Sequence, residues 1–188
     1  VVASRRFALV FVGWIGVYAT IFVVFVHLVA HAADLGVGER AGVIAFAVMG
    51  VTTGLARIVV GWLSDRVGRF RTFVACSATM AVATFALPVV DSMVGLLVFA
   101  VVFGSAYGGN GALLSPLTAD LFGRANPNAV FGLVSLSFAV AGVIAPWGAG
   151  LMYDLQGTYT LAFLLAGVIG FVGSGLVALA GFEPTPSR

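Results

Sequence analysis

Arg57 is the one charged residue between Val43 and Leu63, a run otherwise built of apolar and small side chains. A guanidinium in hydrocarbon is costly, and its planar fork matches a carboxylate, so such a residue marks an anion site by default. The competing reading is structural. Arg57 lies six residues, about 9 Å of helix, from the Leu63 end of the run, and a long side chain at that depth can snorkel to the headgroups. His27 and His31 stand one helical turn apart with Asp34 continuing the same side, a spacing that allows them to titrate together and assist proton coupling, or to form a polar cap at the membrane interface. The same His-x-x-x-His spacing occurs in membrane metalloenzymes, but those need several such pairs and this chain has 2 His in total. Asn110, set among Gly108, Gly109 and Gly111 with Tyr107 beside it, can offer hydrogen bonds to a substrate or to a neighbouring helix. Tyr18, Thr53 and Ser137 are further substrate-site candidates. The single Cys76 excludes an intrachain disulfide and reads as a small packing residue.

These residues sit in a chain of 188 residues that is 61% hydrophobic and 9% charged, with a mean hydropathy of +1.15. Exposed to water, that composition would leave far too much apolar surface. A membrane helix needs about 20 apolar residues, and six stretches qualify: 7–31, 41–63, 72–90, 94–117, 131–152 and 160–181. The expected architecture is all-α, with residues 1–188 forming one six-helix transmembrane unit. Arg5 and Arg6 ahead of an apolar run resemble the start of a secretory signal, yet the run to His31 is much longer than the roughly 7 to 15 residues of a signal core. The first residue is Val rather than Met, so the chain is expected to begin inside a longer protein.

All nine basic residues are arginine and they are not gathered into a nucleic-acid surface. With both termini on one side of the membrane, that side holds Arg5, Arg6, Arg66, Arg69, Arg71, Arg124 and Arg188, against Arg40 opposite. The excess makes the arginine-rich side cytoplasmic, and the expected location is the cell (inner) membrane. Small residues recur every fourth position at Ala100, Gly104, Gly108 and Ala112, and again at Gly142, Pro146 and Gly150, a pattern that lets helices approach closely in lipid. Pro146 also lacks a backbone N–H, which frees a carbonyl within the fifth run and favours a kink.

Between the second and third runs stands Gly61-Trp62-Leu63-Ser64-Asp65-Arg66-Val67-Gly68-Arg69-Phe70-Arg71. This resembles the signature loop of the major facilitator superfamily: Gly61, Asp65, Arg66, Gly68 and Arg69 match, and Phe70 replaces a commonly basic position. In physical terms Gly61 permits close helix approach, Gly68 a tight turn, and Asp65 can accept bonds from a helix N-terminus. The resemblance covers all six runs and implies half of a twelve-helix fold working by alternating access. Ala145-Pro146, the segment Leu151 to Tyr159, and Thr118 to Gly123 look like the later helices of the monocarboxylate and oxalate/formate branch. That favours the C-terminal half, with the segment Glu183 to Arg188 as a chain end.

The resemblance also bears on Arg57, because related carriers hold an organic anion with an arginine of the eighth helix. Animal monocarboxylate carriers place an Asp four residues before it; here that position is Thr53, and the Asp–Arg pairing is absent. Oxalate carriers add a lysine, and this chain has none, so monocarboxylates fit better than dianions. The function implied is secondary transport of small organic anions, with no cofactor, no enzyme activity and no nucleic-acid partner. The expected partners are the anion, membrane lipid and the missing N-terminal six-helix half. A polytopic scaffold or receptor that does not transport is the alternative.

Overall fold

The computed structural model describes residues 4–123 and 126–182. Arg124, Arg188 and the segment from Glu183, which entered the charge count and the placement of the chain end, lie outside the described residues. The elements are α1 (Arg5–Asp34), α2 (Glu39–Val67), α3 (Arg69–Ala86, extended by a 3-10 turn at Leu87–Val89), α4 (Met93–Phe122), α5 (Pro127–Gln156) and α6 (Thr160–Ala180). Each of the six helical segments is long and apolar enough to cross a membrane. Most outrun their apolar stretches, because residues such as Asp34, Asp65 and Asp120 continue a helix through the interface without having to enter hydrocarbon.

The largest difference from the sequence reading is between α2 and α3. The stretch Ser64 to Arg71 reads as a loop, yet both helices run into it until Gly68 alone separates them. Gly68 holds φ at +105°, a conformation that side chains resist, and donates its N–H to the Ser64 carbonyl at 2.8 Å. Ser4 and Ser92 start α1 and α4 by accepting the amides of Phe7 and Gly95, each at 3.2 Å. Five antiparallel steps therefore place the start of α1, the α2–α3 joint and the ends of α4 and α6 together at one arginine-rich end. The α1–α2, α3–α4 and α5–α6 connections gather at the far end.

α1 is the central and most buried helix, packed on α6, α5 and α2. α2 lies along α4, and α3 fills the space between α4 and α6. Between lipid-soaked helices there is little hydrophobic gain, so contact depends on close van der Waals fit and on hydrogen bonds. Two crossings show how it is reached. In the first, Gly104 and Gly108 of α4 bring its backbone onto Met49, Thr52, Thr53 and Ala56 of α2; a Cβ at Gly104 would sit 2.6 Å from the Met49 carbonyl oxygen. In the second, Gly13 and Gly16 of α1 meet Gly173 of α6, where a Cβ would sit 2.5 Å from the Gly13 carbonyl oxygen. The expected stripe on α5 behaves differently: Gly142 faces the Phe22 ring, whereas nothing lies within 4 Å of a Cβ at Gly150. α2 and α5 are the least covered helices of the unit.

The α1–α6 crossing gives a direct prediction. Gly173→Ala must push two helix backbones apart and is expected to destabilise the fold by about 1 to 3 kcal/mol, the range for overpacking a tight interior. Gly175→Ala, two residues away with nothing within 4 Å of its Cβ, serves as the control. Thermal unfolding of both variants in detergent should lower the midpoint for Gly173→Ala only; equal midpoints would contradict the crossing.

Candidate functional site

Arg57 projects from a largely uncovered face of α2, and its guanidinium rests against α4 at Gly111, where a Cβ would lie 3.6 Å from Nη2. Among the described residues no carboxylate comes within ion-pair distance of it. One turn earlier, Thr53 points into the α2–α4 crossing: its hydroxyl lies 2.7 Å from the Met49 carbonyl and 3.1 Å from that of Gly104. Thr52 makes the parallel contact with the Ala100 carbonyl at 3.3 Å. A threonine at position 53 thus serves the helix crossing that supports Arg57.

The other sequence candidates divide. Tyr18 of α1 is buried, its ring edge-on to Trp14 and to Phe138 of α5 at 5.8 and 4.8 Å. Tyr107 of α4 is one turn from Gly111, against which the Arg57 guanidinium rests. Asn110 turns the other way: fully buried, it donates to Ser77 of α3 at 2.8 Å, and Ser77 donates in turn to the Phe73 carbonyl. Its carbonyl oxygen has no hydrogen-bond partner among the described residues. Ser137 is fully buried and donates to the Val134 carbonyl of its own helix at 2.6 Å.

The signature segment forms a clasp at the arginine-rich end. Arg69, first residue of α3, reaches Asp65 of α2 at 3.0 Å and Asp120 of α4 at 3.5 Å, so one guanidinium ties three helices. Asp65 is therefore engaged by Arg69, and the start of α3 has no side-chain cap. Asp120 is the partner that sequence reasoning did not assign; its position in the fourth-helix exit was visible, its distance from Arg69 was not. Arg66 lies over the Trp62 ring at 3.8 Å, a cation–π contact that keeps it on α2. Arg6 of α1 joins the same end by donating to the Leu121 carbonyl at 2.8 Å. A cleft of about 700 Å³ opens there, lined by Arg6, Asp65, Arg69, Arg71 and Asp120.

At the far end, His27 and His31 are both buried. His27 Nε2 lies 3.1 Å from the Pro146 carbonyl, a bond that requires the proton on that nitrogen. His31 packs its ring on Phe163 at 4.8 Å, and its Nε2 has no partner among the described residues. Tyr153 and Tyr159 stack at 4.3 Å beside them, with the Tyr153 hydroxyl 3.4 Å from Asp34. The Tyr159 hydroxyl, in the α5–α6 turn, is pushed above the ordinary phenol range by burial first and then by Tyr153, Asp34 and Asp154. The structure thus places the histidines across the membrane from the clasp and on the opposite side of the site from it.

Glycine-seated crossings, a charged clasp at one helix joint and an arginine exposed within the span describe a polytopic helical membrane protein of the carrier kind. The family model described as Major Facilitator Superfamily matches residues 7–188, and the chain belongs to that superfamily. It is 31% identical over 140 residues to Monocarboxylate transporter 12-B of Danio rerio, covering 72% of this chain and 29% of that protein. Monocarboxylate transporter 13 of Rattus norvegicus is 30% identical over 141 residues (74% and 33%), and Monocarboxylate transporter 11 of Homo sapiens 29% over 165 residues (83% and 35%). The chain thus spans about a third of the length of these curated relatives. Among solved structures, an auto-inhibited peptide transporter of the POT family superposes with a TM-score of 0.78 at 17% identity, over 98% of this chain and 39% of that one. That likeness concerns the fold.

Proposed function

We propose that this chain is one six-helix half, the C-terminal one, of a secondary carrier for small organic anions, with monocarboxylates as the principal substrates. The observation that carries the reading is Arg57, a cation within a membrane span that is exposed toward the open side of the unit and has no carboxylate neighbour among the described residues. Charge in hydrocarbon needs compensation, and a substrate carboxylate supplies it with two parallel N–H···O bonds. The monocarboxylate transporters among the relatives support the same substrate class.

In this reading the weakly covered α2 and α5 face an N-terminal six-helix half, and the substrate binds between the halves near Arg57, with Tyr107 and Tyr18 on the surrounding wall and Thr53 holding α2 on α4. Asn110 and Ser137 contribute through packing. Alternating access rocks the two halves about this site, and the clasp of Asp65, Arg69 and Asp120 keeps α2, α3 and α4 moving as a unit. Gly61, Gly68 and Arg66 set the shape of that joint. His27 and His31 are the candidates for proton coupling, since Thr53 leaves no Asp–Arg pair beside the site. The chain resides in the cell (inner) membrane with the arginine-rich end, and both ends of the chain, in the cytoplasm.

Two measurements test this. Arg57→Ala should abolish transport in reconstituted carrier, and Arg57→Lys, which keeps charge but loses the fork, should weaken substrate affinity at least about tenfold, the equivalent of a lost charge-assisted bond. Near-normal affinity in Arg57→Lys would favour a snorkelling anchor, and normal affinity in folded Arg57→Ala would remove Arg57 from the site. For orientation, an impermeant thiol reagent applied outside intact cells should label Asp91→Cys and spare Val67→Cys. Both positions lie near helix ends, and Val67 is 52% exposed, whereas Ser64 beside it is buried. The reverse labelling pattern would invert the topology.

A further inference from the structure

Resting on the reading of Arg57 as the anion site, we infer that the carrier selects carboxylates with an extended apolar body, and that Phe46 sets this preference. Phe46, Gly50, Gly54 and Arg57 fall at intervals of four, four and three residues, so they share one face of α2. The 11 residues from Phe46 to Arg57 span about 16 Å of helix. Between the two side chains the surface is bare: a Cβ built at Gly50 or at Gly54 would meet no atom within 4 Å. The two glycines thus form the floor of a shallow trough with a guanidinium at one end and an aromatic ring at the other.

The aromatic end is built from three helices. The Phe46 ring stands edge-on to Phe25 of α1 at 5.6 Å, and Phe25 stands edge-on to Tyr107 of α4 at 5.2 Å. Edge-to-face pairs hold these rings in place and leave further ring surface available, since Phe46 remains 38% exposed and Phe25 and Tyr107 are only partly buried. Tyr107 lies one turn from Gly111, where the guanidinium rests. The aromatic wall therefore begins close to the charge and ends about three turns away. An acetate-sized anion would use the Arg57 end alone, whereas a longer acid would lay its body over Gly54 and Gly50 and end against Phe46. Apolar contact then adds to the carboxylate's bonds, and binding tightens as the body grows until it reaches the ring.

Isothermal titration of the purified, assembled carrier with acetate, butyrate, hexanoate and 4-phenylbutyrate reads this out. The dissociation constant should fall about tenfold or more from acetate to 4-phenylbutyrate, as expected for burying several methylenes or a ring. Phe46→Ala should erase most of that gain and leave acetate within about twofold of wild type. Gly54→Leu, which fills the trough beside Arg57, should likewise flatten the dependence on chain length. A wild-type affinity independent of chain length overturns the inference, as does Phe46→Ala weakening all four acids equally. Loss of assembly in Gly54→Leu together with an unchanged preference in Phe46→Ala also overturns it, making this face a helix-packing surface. Arg57→Ala separates the two levels. If it leaves every affinity unchanged, the anion-site reading itself fails; if it removes binding while the series in wild type is flat, only the selectivity inference fails.

Discussion

The backbone approach of α2 to α4 is the constraint from which the site follows. Gly104 and Gly108 put no side chain of their own into the crossing, so that Thr52 and Thr53 reach the Ala100 and Gly104 carbonyls. In lipid these contacts must hold the helices together without help from water. Their geometry turns Arg57 past α4 at Gly111 and leaves its guanidinium outside the crossing. A larger residue at Gly108 would collide with the Thr53 carbonyl and move the arginine with it.

The same helix carries the clasp. Asp65 lies eight residues, about 12 Å, beyond Arg57 on α2, and Gly68 follows as the sole residue between α2 and α3. Arg69 joins Asp65 to Asp120, and so ties the far side of the joint to α4, the helix against which Arg57 rests. One rigid helix pair therefore links the proposed substrate site to the charged joint. The exposed ion pairs are individually weak and sensitive to salt, so the clasp depends on its three charges acting together.

Much of this was legible in the sequence, because membrane helices announce themselves by length and hydropathy and because the segment Gly61 to Arg71 has a recognisable pattern. The α4 glycine stripe was legible too, and it meets α2 at Gly104 and Gly108. What hydropathy does not encode is the direction each face points, since protein interior and lipid are equally apolar. Asn110, surrounded by glycines, could serve a substrate or a neighbouring helix by its sequence, and it turns to Ser77 on α3. The α1–α6 crossing at Gly13, Gly16 and Gly173 follows no four-residue stripe that the sequence would display. Asp120 and Arg69 lie 51 residues apart, and only the folded α3–α4 arrangement brings them together. Thr53 drew notice as a missing carboxylate, whereas its hydroxyl is part of the crossing.

The central claim is that the Arg57 guanidinium receives the substrate carboxylate. Solid-state NMR on the reconstituted carrier, with nitrogen-15 in arginine side chains and carbon-13 in the carboxyl group of 4-phenylbutyrate, measures that proximity directly, and Arg57→Lys assigns the signal. The account predicts strong dipolar dephasing of the bound carboxyl carbon, corresponding to hydrogen-bond distances of about 3 Å between nitrogen and oxygen, lost in Arg57→Lys. Bound 4-phenylbutyrate with no arginine coupling, or with coupling that survives in Arg57→Lys, would contradict it.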